Sequence, residues 1–179
     1  MERDKTQRLI LRARNGDGDA FVELMERHKQ SMYKTAKAWL GREEDVADAI
    51  SETILDCFEH LDTLKEPRYF GTWLVRILIN NCSNIRKQNQ KNGMIEGFDI
   101  AEGERNFCRD YREPEENRAF LEYLEPLADE DRKLMILFYV WGFRTREIGE
   151  LLCMRETTVK ARLQRGREKI KKAFFPLVV

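Results

Sequence analysis

The chain has 179 residues, which is enough for one or two domains that each bury an apolar core. Charged residues make up 36% of it, and 32 basic residues balance 32 acidic ones, so the net charge alone predicts no nucleic-acid or membrane partner. The first ten residues are rich in charge and no apolar run approaches membrane-spanning length, which predicts a cytoplasmic protein with no direct membrane insertion.

Two helices are predicted before residue 42. Residues 6–14 have the pattern of a short basic helix, which ends at the helix-breaking cluster 15–18. Either Asp17 or Asp19 is suited to cap a second helix, because a carboxylate at that position accepts from free backbone amides. Apolar residues then recur at helical spacing until Gly41, which is expected to close the second helix.

A third predicted helix, at about residues 44–60, has two contrasting sides. One side is apolar, and Cys57 on it is expected to be packed in a core. The other side is acidic, which suits a basic protein partner, although charged helix faces are more often simply solvated. The acidic side carries Asp45, Asp48, Glu52, Asp56 and Glu59, of which the first four are the candidates for contact with a partner.

The fourth predicted helix begins near Pro67, a residue suited to a first helical turn, and ends at residues 86–87. Trp73 has the spacing of a core residue on this helix, and an outward-facing ring that contacts a binding partner is the alternative. Helical periodicity then disappears over residues 88–113. From 88 to 116 there are eight acidic residues against four basic ones, which together with scattered Asn and Gly predicts an acidic flexible linker.

A second group of helices is predicted after the linker. Pro114 restarts helical periodicity, and Asp129 is expected to cap the next helix. No strand pattern occurs anywhere in the sequence. The predicted fold is therefore all-α, with two small helical domains at residues 1–87 and 114–179 joined by the linker 88–113.

The last predicted pair of helices forms a helix-turn-helix. Residues 144–152 carry apolar side chains at the spacing of a short amphipathic helix, and the helix after the corner is basic. From 144 to 172 there are ten Lys or Arg residues against four acidic ones. A basic second helix in this order suits the DNA major groove, and a solvated basic helix on a small bundle is the alternative. Its predicted buried stripe is Val159, Leu163, Ile170 and Phe174.

Catalysis and cofactor binding are not predicted. The four cysteines stand far apart, and no Cys or His pair has the spacing of zinc ligands, so no metal site is expected. No glycine-rich phosphate loop or nucleophile–base set occurs either. The sequence therefore predicts a non-enzymatic protein without a cofactor or a small-molecule substrate.

Several segments together resemble bacterial RNA polymerase sigma factors of the extracytoplasmic-function group. In the first domain these are DAFVELMERHKQSMYKTAKAWLG, DVADAISETILDCF and YFGTWLVRILIN, and in the second domain YLEPLADEDRKLMILFYVWGFRTREIGELLCMRETTVKARLQRGREKI. The most specific pieces are the pattern WL-x-x-I-x-x-N from Trp73 to Asn80 and the pattern EI…L…TVK-x-RL from Glu147 to Leu163. Two such domains in this order, with a linker between them, make the resemblance strong.

The resemblance implies a subunit that binds core RNA polymerase and directs it to promoter DNA, with an anti-sigma factor as its regulator. The third helix would then bind the clamp-helix region of the polymerase through Asp45, Asp48, Glu52 and Asp56. The loop 61–66 and the fourth helix would hold the opened minus-10 strand, with contacts from Arg68, Tyr69, Thr72, Arg76 and Asn80.

The basic helix would read the minus-35 element in the major groove. Donors at the start of an inserted helix meet base edges, and positive charge further along meets phosphates. The candidate residues are Arg155, Glu156, Thr157, Thr158, Lys160, Arg162 and Arg165. A stand-alone helix-turn-helix regulator, which binds duplex DNA without polymerase, is the alternative function.

Four positions depart from the family's usual pattern. In the third helix the family has Asp-Ala-Glu-Asp and Gln-Glu where this chain has Ala47 within its acidic segment and Ser51 before Glu52. At the start of the recognition helix the family's Ile-Pro-x-Gly-Thr is replaced by a segment with Arg155 and Thr157. These changes are expected to alter polymerase contacts and base preference rather than the fold.

Overall fold

A computed structural model describes the backbone of residues 2–91 and 115–174. Every regular element within these two ranges is helical. The chain divides into two compact units, with the division between Cys108 and Arg109. The predicted all-α fold with two domains is confirmed, whereas most of the predicted linker, residues 92–113, lies outside the described residues.

Four α-helices build the first unit. They are α1 (Glu2–Arg14), α2 (Gly18–Trp39), α3 (Glu43–His60) and α4 (Phe70–Lys91). Two short 3-10 turns, Leu61–Thr63 and Pro67–Tyr69, connect α3 to α4. Of the two predicted candidates, Asp17 rather than Asp19 caps α2, because its Oδ1 accepts from the backbone amide of Ala20 at 3.0 Å. This bond and the neighbouring Arg12 hold the pKa of Asp17 below its usual value.

The core of the first unit lies between α2, α3 and α4, with α1 packed on α2. Cys57 is fully buried, as the apolar stripe on α3 predicted, and burial raises the pKa of its thiol to about 12. Such a thiol stays protonated at neutral pH and packs as an apolar group. Other fully buried side chains come from every helix of the unit: Ile10, Leu24, Met32, Ala49, Leu74 and Leu78.

Helix α4 runs further than its sequence pattern predicts. The prediction ended the helix at residues 86–87 and began the linker at 88, but α4 continues to Lys91. Asn89 on this last turn donates from Nδ2 to Oδ2 of Asp45 at 3.0 Å, which ties the turn to α3. This contact joins residues 44 positions apart, so local periodicity carries no trace of it.

Four further helices build the second unit. They are α5 (Glu115–Leu124), α6 (Asp129–Tyr139), α7 (Thr145–Leu151) and α8 (Glu156–Phe174). α7 and α8 form the predicted helix-turn-helix, and α8 also packs on α6. The core contains Leu134, Ile136, Leu137, Ile148, Val159 and Leu163, each at most 2% exposed.

Two local predictions in the second unit are wrong. Asp129 is the first residue of α6 rather than its cap, a position taken by Ala128 without a side-chain bond. The carboxylate of Asp129 still lies where the helix dipole favours negative charge. Phe174 is 41% exposed rather than part of the buried stripe. Its ring packs against the ring of Tyr123, which is itself 47% exposed, with the two centroids 4.7 Å apart.

Membrane insertion finds no support in these helices. Within residues 2–91 and 115–174, none has both the length and the apolar character needed to cross a bilayer.

Candidate nucleic-acid interfaces

The outward face of α8 carries most of the residues predicted to read the minus-35 element. Val159, Leu163 and Gly166 bury the opposite face. The outward residues Thr157, Thr158, Lys160 and Arg165 are all exposed, and so is Arg155 immediately before the helix. The structure therefore brings five of the seven predicted side chains to the solvent-facing side or the start of one helix.

Glu156 points toward α7. Its Oε1 accepts from the hydroxyl of Thr145 at 2.8 Å and forms an ion pair with Nζ of Lys160 at 2.8 Å. The lysine and the hydroxyl hold the pKa of Glu156 below its usual value. The bond to Thr145 joins the first turns of α7 and α8, so Glu156, whose side chain is 42% exposed, helps to orient the recognition helix.

Arg162 lies on the side of α8 that faces α6. Its Nη1 is 3.1 Å from a carboxylate oxygen of Glu130 and 3.8 Å from one of Asp131. Its side chain is only 28% exposed, and that of Asp131 is 15% exposed. The guanidinium is therefore held against the first turn of α6.

Gln164 is an outward residue that the sequence analysis missed. It is exposed on the same face as Thr157 and Lys160, and its Nε2 donates to Oε1 of Glu168 at 3.2 Å. Glutamine amides recognise adenine in the major groove. Its spacing from Thr157, seven residues or two helical turns earlier, is the sequence signal that places it on this face.

The corner between α7 and α8 depends on a left-handed residue. Cys153 has φ +54°, the only non-glycine residue with a positive φ in the part of the chain that the structure describes. Its side chain is exposed, so it packs in neither helix. The corner sets the direction in which α8 leaves α7 and thus the side of α8 that faces solvent.

In the first unit, the residues predicted to hold an opened strand share one side of α4 and the turn before it. Tyr69 is 49% exposed, Arg76 and Asn80 are exposed, and Thr72 is half-buried. The spacing of 3 to 4 residues between successive members places them along one helix face. Arg68 lies beside them, with its guanidinium carbon 4.8 Å from the ring centroid of Tyr69.

A shallow depression of about 280 Å³ borders this face at Asn80, between α4 and the end of α3. Trp73, Ile77 and Asn80 of α4 line one side of it, and His60 and Thr63 line the other. Trp73 is half-buried, so its predicted place in the core is only partly correct. The depression offers an aromatic ring beside an amide, which suits stacking and hydrogen bonding of a nucleobase.

The predicted acidic face of α3 divides into two pairs. Asp48 and Glu52 are exposed, whereas Asp45 and Asp56 are half-buried. Asp45 accepts from Asn89, and Asp56 accepts from Nδ2 of Asn81 at 2.8 Å. The second pair therefore joins α3 to α4, and Asp56 also borders the depression.

Apolar side chains extend the exposed part of α3. Leu55 is 56% exposed and Phe58 is 66% exposed, although Phe58 also packs edge-on against the ring of Phe21 at 5.3 Å. Together with Asp48, Glu52 and the exposed Glu59, these side chains give α3 a solvent-facing surface that is both acidic and apolar.

Comparison with known proteins matches both units. The family model described as Sigma-70 region 2 matches residues 24–92, and the one described as Sigma-70, region 4 matches residues 117–170. The ECF RNA polymerase sigma factor SigW of Bacillus subtilis is 28% identical over 91% of this chain and 93% of its own length. The ECF RNA polymerase sigma-E factor of Escherichia coli is 25% identical over 96% of this chain and 95% of its own length.

Two solved structures share the fold. CnrH in complex with the cytosolic domain of CnrY has a TM-score of 0.63 at 21% identity, covering 97% of this chain and 99% of the solved one. The sigma factor RpoE in complex with the anti-sigma factor NepR, from Bartonella quintana, has a TM-score of 0.58 at 20% identity, covering 79% and 88%.

Proposed function

We propose how the tasks of transcription initiation are divided within this chain, which belongs to the extracytoplasmic-function (ECF) group of the sigma-70 family of RNA polymerase sigma factors. As a sigma factor it binds core RNA polymerase and directs it to specific promoters. This membership favours a sigma factor over a stand-alone helix-turn-helix regulator. The observation that carries the division of tasks is that the candidate DNA contacts lie on exposed helix faces of two separately folded units.

The second unit recognises the minus-35 element through the outward face of α8. Lys160, Gln164 and Arg165 meet base edges and phosphates, with Thr157 and Thr158 at the start of the helix. Arg155 contacts the backbone or a base from the position before the helix. Glu156 and Arg162, which are bonded within the domain, hold α8 in its orientation instead of contacting bases.

The first unit opens the minus-10 element and holds the displaced strand. Arg68, Tyr69, Thr72, Arg76 and Asn80 form its contact face, and the depression at Trp73 and Asn80 accepts a base that has left the stack. Stacking on the exposed aromatic rings is the main attraction, since every base has a π-face, and the arginines neutralise backbone charge.

The exposed part of α3 binds core polymerase. Asp48 and Glu52 supply negative charge toward a basic partner surface, and Leu55 and Phe58 supply apolar area beside them. Asp45 and Asp56 belong to the same face in sequence, but their bonds to α4 give them a supporting role.

The proposal also covers the domain boundaries of the protein, its location in the cell and its regulator. The first domain comprises residues 1–91, four residues more than the sequence pattern predicts, and the second begins at about residue 114. The protein acts in the cytoplasm, where its polymerase works, and has no catalytic activity of its own. An anti-sigma factor regulates it, as the complexes of the two related folds suggest.

Transcription on duplex and premelted templates tests the division. Asn80→Ala is expected to leave initial promoter binding nearly intact but to slow strand opening, which lowers the permanganate reactivity of unpaired thymines. A bubble at the start site rescues Asn80→Ala far more than Arg165→Ala. Asn84→Ala is the matched control, because Asn84 is exposed one turn further along α4 and does not line the depression. If Asn80→Ala and Arg165→Ala fail equally on the premelted template, the division is wrong.

The alternative regulator is tested by gel shift. The basic charge lies mainly on one small domain, so the free sigma factor binds promoter DNA weakly, with each phosphate contact adding about 0.9 to the logarithmic salt slope. Core polymerase is expected to make the binding specific. Tight, sequence-specific binding by the free protein at physiological salt would favour the stand-alone regulator.

A further inference from the structure

We propose that α1 positions the loop that holds the opened strand, and that Arg14 is the residue through which it acts. This inference rests on the role proposed above for residues 61–69. α1 lies before the range matched by the region 2 family model, which begins at residue 24. It nevertheless packs against both 3-10 turns between α3 and α4, the turns that lead into the strand-holding face.

The contact between α1 and the loop is a hydrogen bond from an arginine. Nε of Arg14 donates to the backbone carbonyl of Leu61 at 3.3 Å. The same carbonyl accepts from the backbone amide of Leu64, also at 3.3 Å, and this second bond closes the 3-10 turn. One oxygen therefore holds both the turn and its attachment to α1, and without Arg14 a single long hydrogen bond would remain there.

The bond to Arg14 helps to fix where the side chains of the loop lie. Leu61 and Leu64 are 5% and 4% exposed, so they anchor the two ends of the turn in the core. Between them, Asp62 and Thr63 are exposed, and Thr63 lines the depression beside Asn80. A shift of the Leu61 carbonyl would move Thr63 and thereby change the wall of the depression that faces α4.

The other end of the guanidinium indicates that Arg14 is not placed for stability alone. Its Nη2 is buried, and no described residue accepts a hydrogen bond from it. A buried donor without a partner lowers stability, which offsets part of what the bond to Leu61 contributes. What an apolar residue lacks is the bond to Leu61, since a charged donor makes a stronger hydrogen bond than a neutral one.

The α1 backbone keeps the guanidinium in place. Ile10, one turn before Arg14, is fully buried, and Leu9 is 5% exposed. Arg14 is also the last residue of the helix, so its side chain starts from a firmly packed turn. Arg12, two residues earlier, instead turns outward to Asp17, with an ion pair at 2.7 Å and a side chain 58% exposed.

The test compares Arg14→Gln, Arg14→Lys and the control Arg12→Gln in the full-length chain. Hydrogen exchange of the amides of residues 61–69 is measured by mass spectrometry, and promoter opening with core polymerase is measured on duplex DNA. Arg14→Gln is expected to speed exchange in this segment about tenfold, because the shorter, neutral amide of glutamine does not replace the charged donor to Leu61. It is also expected to slow promoter opening several-fold without weakening polymerase binding.

The other variants separate positioning from folding. Arg14→Lys keeps a cationic donor and is expected to restore part of both effects, which a general loss of packing would not allow. Arg12→Gln is expected to leave the exchange of residues 61–69 and promoter opening as in the wild type. If Arg14→Gln unfolds the domain, the comparison of Arg14→Lys with the wild type decides the outcome by the same two measurements.

Two results would overturn different parts of the proposal. Wild-type exchange in residues 61–69 of folded Arg14→Gln would show that Arg14 does not hold the loop, and the inference would be wrong. Faster exchange together with wild-type opening would instead contradict the role proposed for the loop, while the contact itself would stand.

Discussion

Gly149 of α7 lies directly against the backbone of Met154 at the corner of the helix-turn-helix. A Cβ built on Gly149 would stand 2.7 Å from the carbonyl oxygen of Met154, closer than side-chain carbons approach backbone atoms in proteins. The amide of Met154 also donates to the carbonyl of Gly149 at 2.8 Å. The corner therefore closes by direct backbone contact, and a side chain at residue 149 would force it open.

Gly149→Ala is expected to destabilise the second domain by about 1–3 kcal/mol, the usual effect of inserting a methyl group into a packed site. The obstacle is a backbone atom, which cannot swing aside as a flexible side chain can. Urea unfolding followed by peptide-resolved hydrogen exchange measures the two domains separately. The first domain is expected to keep its wild-type stability.

Gly166→Ala is the matched control for this change. Gly166 is also buried in the second domain, but a Cβ there would meet the flexible side chain of Met135 at 3.5 Å, an ordinary contact. Alanine also favours a helix by up to about 1 kcal/mol over glycine. This variant is therefore expected to be neutral or stabilising. Equal loss of stability in both variants would contradict the close contact at Gly149.

The left-handed conformation of Cys153 predicts opposite effects of two substitutions. A non-glycine residue in this region costs about 1–2 kcal/mol. Glycine removes this cost but gives back part of the gain through the entropy of the unfolded chain, so Cys153→Gly is expected to stabilise the domain by up to about 1 kcal/mol. Cys153→Val is expected to destabilise it by about 1 kcal/mol or more, since a branched side chain tolerates a positive φ least. Urea midpoints measure both, and equal midpoints would contradict the assigned φ.

Arg162 is expected to contribute to the stability of the second domain, whereas Arg165 is expected to contribute to promoter binding. Arg165→Ala removes an exposed cation from the outward face of α8 and is expected to weaken promoter binding by about 1–3 kcal/mol, the usual effect of losing a base contact. Arg162→Ala removes the ion pairs to Glu130 and Asp131 and is expected to lower the free energy of unfolding by about 0.5–1 kcal/mol, because the pair is partly solvated. Promoter titration with the polymerase holoenzyme and urea unfolding measure the two effects.

Lys171→Ala serves as the control for Arg165→Ala, since Lys171 is an exposed cation near the end of the same helix. It is expected to reduce the salt dependence of binding without changing base preference. A loss of promoter affinity in Arg162→Ala as large as that in Arg165→Ala, with wild-type stability, would restore Arg162 as a base reader.

The exposed half of the α3 acidic face, Asp48 and Glu52, is expected to be needed for polymerase binding. Reversing Asp48 and Glu52 together to lysine is expected to weaken association with core polymerase, because like charges then meet across the interface. The fold is expected to survive, since surface substitutions usually change stability by no more than about 0.5 kcal/mol. Competition with a labelled wild-type chain for core polymerase measures the change, and circular dichroism checks helicity.

Glu122 and Glu125 provide a control with the same change in charge. Both are exposed on the second unit, so their reversal to lysine tests whether net charge alone affects the competition. Wild-type competition by the Asp48 and Glu52 variant, with normal helicity, would remove α3 from the polymerase interface.

Local patterns in the sequence predicted the helices, the cap at Asp17 and the burial of Cys57. Each of these depends on residues within a few positions of one another: apolar spacing along one helix, or a carboxylate beside the amides of the next turn. The acidic face and the basic helix were likewise visible in one dimension, because charge on a helix surface repeats with the helix itself.

Tertiary structure alone decided which way several of those side chains point. Arg162 and Arg165 lie three residues apart on α8, and only the position of α6 places Glu130 beside Arg162. In the same way, Asn89 on the last turn of α4 donates to Asp45, so this member of the acidic face is bonded to α4. These pairings join residues 32 and 44 positions apart, and a sequence pattern specifies the face on which a residue lies but not the neighbour that packs there.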